Sequence, residues 1–292
     1  MSTFLQQLTS GVMLGGSYAL IALGFTLVFG VLRVLQFSHP EIVMVGAYVG
    51  LYVAIEVSQN LVLVLVAAAL ACAVLGIVIE RLTLRPLRGA NFLTPAITML
   101  GVGIILVNLV IPIFGARQKA FPDLISERSF TVAGVQFTLT QVVVLGVSLF
   151  LLVLLKLGIE RSRIGKAMRA TAEDADVAEL VGINSTRVVV LTMAAASALA
   201  GIAGVLIAVM FGAITPHMGI TYGLKALVVM VVGGVGSVGG AMLVGLSLGV
   251  IEVLASGYIS SSYRDIVAFA LLVIVLLIKP TGIFGRSDLE KV

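Results

Sequence analysis

The sequence predicts an all-α, polytopic transmembrane domain. Its composition, its long charge-free stretches and its lack of the alternating pattern of a barrel all point that way. Hydrophobic residues make up 60% of the chain and charged residues 11%, against about 45–50% and 25% in a soluble globular protein. No charged side chain occurs from Met1 to Leu32, Val57 to Ile79, Gly89 to Ala116, Ser129 to Leu155, Val188 to Leu224 or Ala226 to Ile251. Each stretch suffices for at least one helix of about 20 residues across the hydrocarbon core. Backbone groups cannot go unpaired in lipid, so these segments must be helices. A barrel would show short alternating segments instead.

The elements follow in order. Val12–Val31 is the first membrane helix and not a secretory leader, because it lacks a basic leading region and its apolar run is too long. Ile42–Ile55, Leu61–Ile79, Thr94–Phe114, Thr140–Leu155, Val188–Met210, Gly223–Val232, Ala241–Leu254 and Tyr263–Ile278 follow. These give about eight or nine membrane segments in a single domain over residues 1–292. No lipidation motif is present. The one cysteine, Cys72, excludes an internal disulfide and a multi-cysteine metal site. No cofactor is expected.

Orientation follows from Lys and Arg, which concentrate on the cytosolic side. With the N-terminus outside and the C-terminus in the cytosol, Arg33, Arg81, Arg85, Arg88, Lys279, Arg286, Lys291 and the basic residues between Lys156 and Arg187 face inward. Only Arg117, Lys119, Arg128, Lys225 and Arg264 fall outside or near the outer edge. The same bias accounts for the net charge of +4 without nucleic acid.

Two stretches interrupt the spans. Phe37-Ser38-His39-Pro40-Glu41 precedes the second, and Ile214-Thr215-Pro216-His217-Met218-Gly219 follows the sixth. Proline lacks an N–H and disfavours helix at the preceding residue, so both should be breaks. Gly233-Gly234-Val235-Gly236-Ser237-Val238-Gly239-Gly240 then separates two short apolar segments. Such interruptions in corresponding positions of two halves point to a transport pathway. A span, a break at Pro40 and three spans would correspond to a span, a break at Pro216 and three spans, inserted oppositely as inverted repeats. The glycine cluster lacks the Lys-Ser/Thr ending of a phosphate loop and has no soluble α/β unit around it, so ATP binding by this chain is rejected.

One polar island stands out. Eleven charged side chains lie between Lys156 and Arg187. Ser162–Asn184 reads as one or two short helices with a narrow small-residue face of Ile164, Ala167, Met168, Thr171, Ala175 and Ala178. Gly182 suits the left-handed residue that ends a helix. The island is either a helix that lies in a partner's groove or a solvated amphipathic loop resting on the lipid surface.

Several stretches together resemble one family. They are Arg163-x-Gly165-x-x-x-Arg169-Ala170, Ala172-Glu173-Asp174, Ala178-x-x-x-Gly182-Ile183-Asn184, Gly15–Gly24, Lys225-Ala226, Gly233–Ser237 with Gly240-Ala241-Met242, and Lys279–Gly285. The chain resembles the inner-membrane permeases of bacterial branched-chain amino acid ABC importers over its whole length. The resemblance implies a second, usually non-identical permease subunit, two cytosolic ATPase subunits and a periplasmic or extracellular solute-binding protein as partners. It also implies that the island, through Arg163, Gly165, Arg169, Ala170, Glu173, Asp174, Ala178 and Gly182, is the coupling helix that fits a cleft in the ATPase. The family usually has glycine where Pro40 stands, which puts the local backbone in question. Relatives carry urea or short amides.

The other candidates are weighed on chemistry. His39 and Glu41 either line the path or cap a broken helix, and Glu41 in a first turn favours capping. Pro216, His217, Gly233, Gly234 and Gly236 are pathway or gating candidates by position. The two histidines are not a metal site without further ligands. Glu252 is the best candidate for an ionisable group inside a span, where such groups are costly and usually functional; it would pair with Lys225 or Arg264 or lie near the outer interface. Gly15, Gly16, Gly201 and Gly204 should allow close helix packing. The alternative to an importer subunit is a self-sufficient small-solute channel or secondary transporter, which would have no need of the Ala-rich island.

Overall fold

A computed structural model describes residues 2–87, 89–91, 93–126, 128–132 and 135–285. Arg88, Arg286 and Lys291, which entered the orientation argument, lie outside these residues. The helices are α1 (Ser2–Leu32), α2 (His39–Glu56), α3 (Leu61–Ile79), α4 (Leu93–Phe114), α5 (Leu139–Arg161), α6 (Arg163–Glu173), α7 (Ala175–Leu180), α8 (Ser185–Phe211), α9 (Met218–Gly233), α10 (Val238–Tyr258) and α11 (Arg264–Ile278). Seven are long and apolar enough to cross a membrane. To these the fold adds the 16-residue α9 and α2, whose first turn holds His39, Pro40 and Glu41.

The boundaries have local causes. Asn60, Thr138, Asn184 and Ser237 each accept a backbone N–H in the first turn of α3, α5, α8 and α10, which satisfies donors a helix start leaves free. α5 runs to Arg161, six residues past the expected end, and α10 is longer at both ends than Ala241–Leu254. A charge ends an apolar run but not a helix that projects into water. Two small antiparallel pairings were not expected. β1 (Lys119–Ala120) pairs with β4 (Ala213–Ile214), and β2 (Ser129–Val132) forms a hairpin with β3 (Val135–Thr138). The hairpin occupies a stretch that is charge-free but too polar at Thr131, Gln136 and Thr138 to continue α5.

α1 packs along α10 and α3 along α8, while α4 sits on α2 and α11 on α9. The first helix of each four-helix set therefore lies against the third of the other, a reciprocal pairing of the two sets. Glycine sets the separations. A Cβ on Gly15 would stand 2.7 Å from the Gly245 carbonyl oxygen, and one on Gly201 2.7 Å from that of Ala68. On α8, Gly204 packs directly on the Val43 carbonyl of α2, where a Cβ would overlap the oxygen. Gly204→Val is expected to cost about 1–3 kcal/mol through overpacking. Gly146→Ala, with open space around it, should be neutral or stabilise by up to about 1 kcal/mol. Melting in detergent would check both; equal melts would remove the close-packing account.

Candidate functional site

Three regions carry the polar chemistry. The first is the end of the bundle that bears α6 and α7. The island divides into these two helices at Asp174, which ends α6 and caps α7 by accepting N–H bonds from Asp176 and Val177 at 2.9 and 3.0 Å. Ser162 caps α6 through the Gly165 N–H at 2.9 Å. Gly165 then sits on the last carbonyls of α5, with a Cβ position 2.6 Å from the Gly158 oxygen. Arg169 donates to the carbonyls of Ile159 and Glu160. Gly165 and Arg169 thus build the tight elbow between α5 and α6, and their spacing of four places both on the α6 face that looks back. Gly182 has φ +86° and closes α7, with its own N–H on Glu179 and that of Ile183 on Ala178, both at 3.0 Å. Gly165→Ala is expected to spring the elbow and raise the rate of tryptic cleavage at Arg161 and Arg163 several-fold. An unchanged cleavage rate would contradict it.

The expected small-residue face is only partly a face. Met168, Thr171 and Ala178 are buried against the body, whereas Ile164 and Ala175 are exposed. The helices project a different surface outward: Arg163, Lys166 and Glu173, with Val177, Leu180 and Val181 exposed by 55%, 86% and 72%. Beside them a cavity of about 490 Å³ is lined by Lys156, Glu160, Arg169, Gly236, Ser237 and Phe284. The glycine cluster forms its rim. Gly234 and Gly236 have φ +97° and +83°, and the chain after α11 returns here, donating from Ile283 to Val232 at 2.8 Å and from Phe284 to Gly233 at 3.2 Å. Arg33, the one described non-glycine residue with positive φ (53°), donates to the Ala172 carbonyl at 3.3 Å. It ties the segment before α2 to the end of α6, a link that sequence reasoning missed.

The second region is where α2 and α9 begin. His39 and Glu41 stand in the first turn of α2, as expected, and that turn is buried inside the bundle. The His39 imidazole packs on Phe25, with ring centroids 4.6 Å apart, and against Gly24, about 12 Å along α1 from Leu32. The Glu41 side chain reaches Gly103, half-way along α4, and its Oε2 touches Gly219 in the first turn of α9. Pro40 occupies the first turn of its helix, where its missing N–H costs nothing, and packs on Gly223. This settles the local backbone: the break is Arg33–Ser38, and Pro40 lies in the first turn of the helix that His39 starts. Pro216 is buried and His217, at the N-cap of α9, is exposed.

The third region is a charge cluster. Glu252 on α10 is fully buried. Its Oε1 accepts from Lys225 Nζ of α9 at 2.7 Å and from the Tyr18 hydroxyl of α1 at 3.1 Å, and Arg264 Nε lies 3.0 Å away. Lys225 also meets Asp265 at 2.9 Å. Glu252 therefore pairs with both of the partners considered for it. No group of three or more potential metal ligands occurs among the described residues.

The fold has a solved counterpart. PsaBC from Streptococcus pneumoniae in complex with Fab matches with a TM-score of 0.50 over 95% of this chain and 92% of that one, at 14% identity. Sequence relatives are nearer. The high-affinity branched-chain amino acid transport system permease protein LivH of Salmonella typhimurium is 41% identical over 99% of this chain and 98% of its own length. BraD of Pseudomonas aeruginosa, a permease protein of the same description, is 40% identical with the same coverage. A probable branched-chain amino acid transport permease protein LivH of Methanocaldococcus jannaschii is 28% identical over 91% of this chain and 88% of its own. The family model described as branched-chain amino acid transport system / permease component matches residues 7–276, and with the near full-length relatives it places this helical, membrane-embedded chain in that permease family.

Proposed function

We propose that the whole chain is one permease unit of an ATP-driven importer that moves branched-chain amino acids, or related small amino acids and amides, into the cytosol. The observation that carries this is likeness to permease proteins over nearly the full length of the chain. ATP hydrolysis falls to two separate cytosolic subunits, a second permease completes the channel, and a periplasmic or extracellular binding protein delivers the solute. The chain sits in a bacterial inner membrane with its N-terminus outside and its C-terminus in the cytosol. In that orientation the α6–α7 end faces the cytosol.

The geometry supports a coupling role for Arg163, Gly165, Arg169, Ala170, Glu173, Asp174, Ala178 and Gly182 in a particular way. Gly165, Arg169, Asp174 and Gly182 shape the elbow and the two short helices, Ala178 seats α7, and Arg163 and Glu173 face outward with the exposed apolar side chains. Apolar groups this exposed beside charges in an aqueous layer suit a partner surface. Motion of the docked helices reaches the α2 break through Arg33. Co-purification of the tagged chain from its native membrane, with identification of companions and leucine uptake by the reconstituted complex, tests the reading. Repeated recovery of an intact chain alone that still transports would replace it with the self-sufficient transporter.

A further inference from the structure

Glu41 and Glu252 are two of the buried carboxylates among the described residues, and they differ in their cation partners. Glu252 Oε1 meets Lys225, Arg264 and Tyr18, although its Oε2 accepts no hydrogen bond. Glu41 is 4% exposed, yet its buried Oε2 accepts no hydrogen bond, and no described cation pairs with it. A buried carboxylate without a partner costs several kcal/mol, and ionisable groups at membrane depth mark solute pathways.

The surroundings of Glu41 are two helix starts and two glycines. It is the third residue of α2, in the first turn of its own helix, and its Oε2 lies on Gly219 in the first turn of α9. Two helix N-termini, those of α2 and α9, thus meet at one carboxylate, and the dipole of each favours an anion. Gly103 and Gly219 flank the carboxylate where side chains would cover it: a Cβ at Gly103 would stand 3.4 Å from Glu41 Cγ and one at Gly219 2.6 Å from Oε2. Gln36, in the segment that leads into α2, is 1% exposed, and neither polar atom of its amide has a partner. Donor and acceptor capacity is therefore held open at the same break.

We infer that Glu41 is the midplane contact for the α-ammonium of the transported amino acid, with the Gln36 amide available to a neighbouring polar group. A primary ammonium supplies the donors and the charge that this carboxylate lacks. The inference rests on the permease reading for its solute, but the site itself is testable without transport.

The test uses the complete importer purified without its binding protein. The probes are leucine, 3-methylbutylamine (amine without carboxylate) and 4-methylpentanoate (carboxylate without amine), read by thermal shift, with ATP-driven leucine uptake measured separately in proteoliposomes. Leucine and the amine should raise the wild-type melting temperature and 4-methylpentanoate should not. Glu41→Gln should abolish the amine shift and lower leucine uptake at least tenfold. Glu41→Asp, which keeps the charge on a shorter arm, should fold even if Glu41→Gln does not, and should weaken the amine response at least threefold. A shift that follows the carboxylate probe, no wild-type shift with either amine, or an amine response that is unchanged in the variants would overturn the site. A complex that shows the amine shift but never takes up leucine would sink the amino-acid importer reading and leave the site standing.

Discussion

Glu252→Ala is expected to destabilise the protein by about 3–5 kcal/mol, the usual cost of removing one partner from a buried ion pair. The reason is what remains. Lys225 is buried, and it would keep only Asp265, whose own side chain is 66% exposed; Arg264 would lose its ion-pair partner and the Tyr18 hydroxyl its acceptor. Four helices meet at Oε1, so the loss loosens α1, α9, α10 and α11 together. Melting of the detergent-solubilised protein should fall by many degrees, and yield should drop. The paired replacement Lys225→Met with Glu252→Leu should recover most of the loss, because apolar pairs of matched volume often replace buried charges at little cost. Transport by that double variant then decides the role. Full uptake would make the cluster a clamp. Lost uptake in a well-folded complex would make Glu252 a pathway or gating group.

Leu180→Glu, alone or with Glu173→Lys, is expected to abolish recovery of the ATPase companions and to cut ATP-driven uptake by at least tenfold, while the stability of the isolated chain stays within about 0.5 kcal/mol of wild type. Leu180 is 86% exposed and Glu173 is exposed, so neither change touches the core. Asp174 is a poorer probe. It caps α7, and Asp174→Lys would cost about 1 kcal/mol locally before any partner is considered; Asp174→Asn keeps the cap and removes only the charge. Retention of the companions by Leu180→Glu would show that the exposed apolar surface of α7 is not where they dock.

Much of this architecture is written in the chain. Leu61–Ile79 is α3 to the residue, and both proline stretches and the glycine cluster fall at breaks, because an absent N–H and missing side chains act locally. The capping and elbow residues of the island could be identified by type, and Gly182 by its αL requirement. Burial direction could not. Periodicity gave Ile164 and Ala175 the same face as Met168 and Ala178, but only the bundle decides which of them touches it. Likewise, nothing near Glu41 in the sequence says that its helix starts deep, since that depth is set by Gly24, Gly103 and Gly219 on three other helices. The companions of Glu252 could be named because few charges were available. Tyr18, among many apolar neighbours, gave no such hint.

The reciprocal pairing of α1 with α10 and α3 with α8 bears on how the chain is made. The first helix to leave the ribosome finds its main contact in one of the last, more than two hundred residues later. Until then the Gly11–Gly15 strip of α1 faces lipid, which solvates it almost as well as a protein surface would. Neither half can complete a core by itself, so a truncated or stalled product is an unassembled bundle and not a smaller permease. Nascent chains cut after α7 should accordingly be cleared by membrane proteases, and separately expressed halves should persist only when both are present.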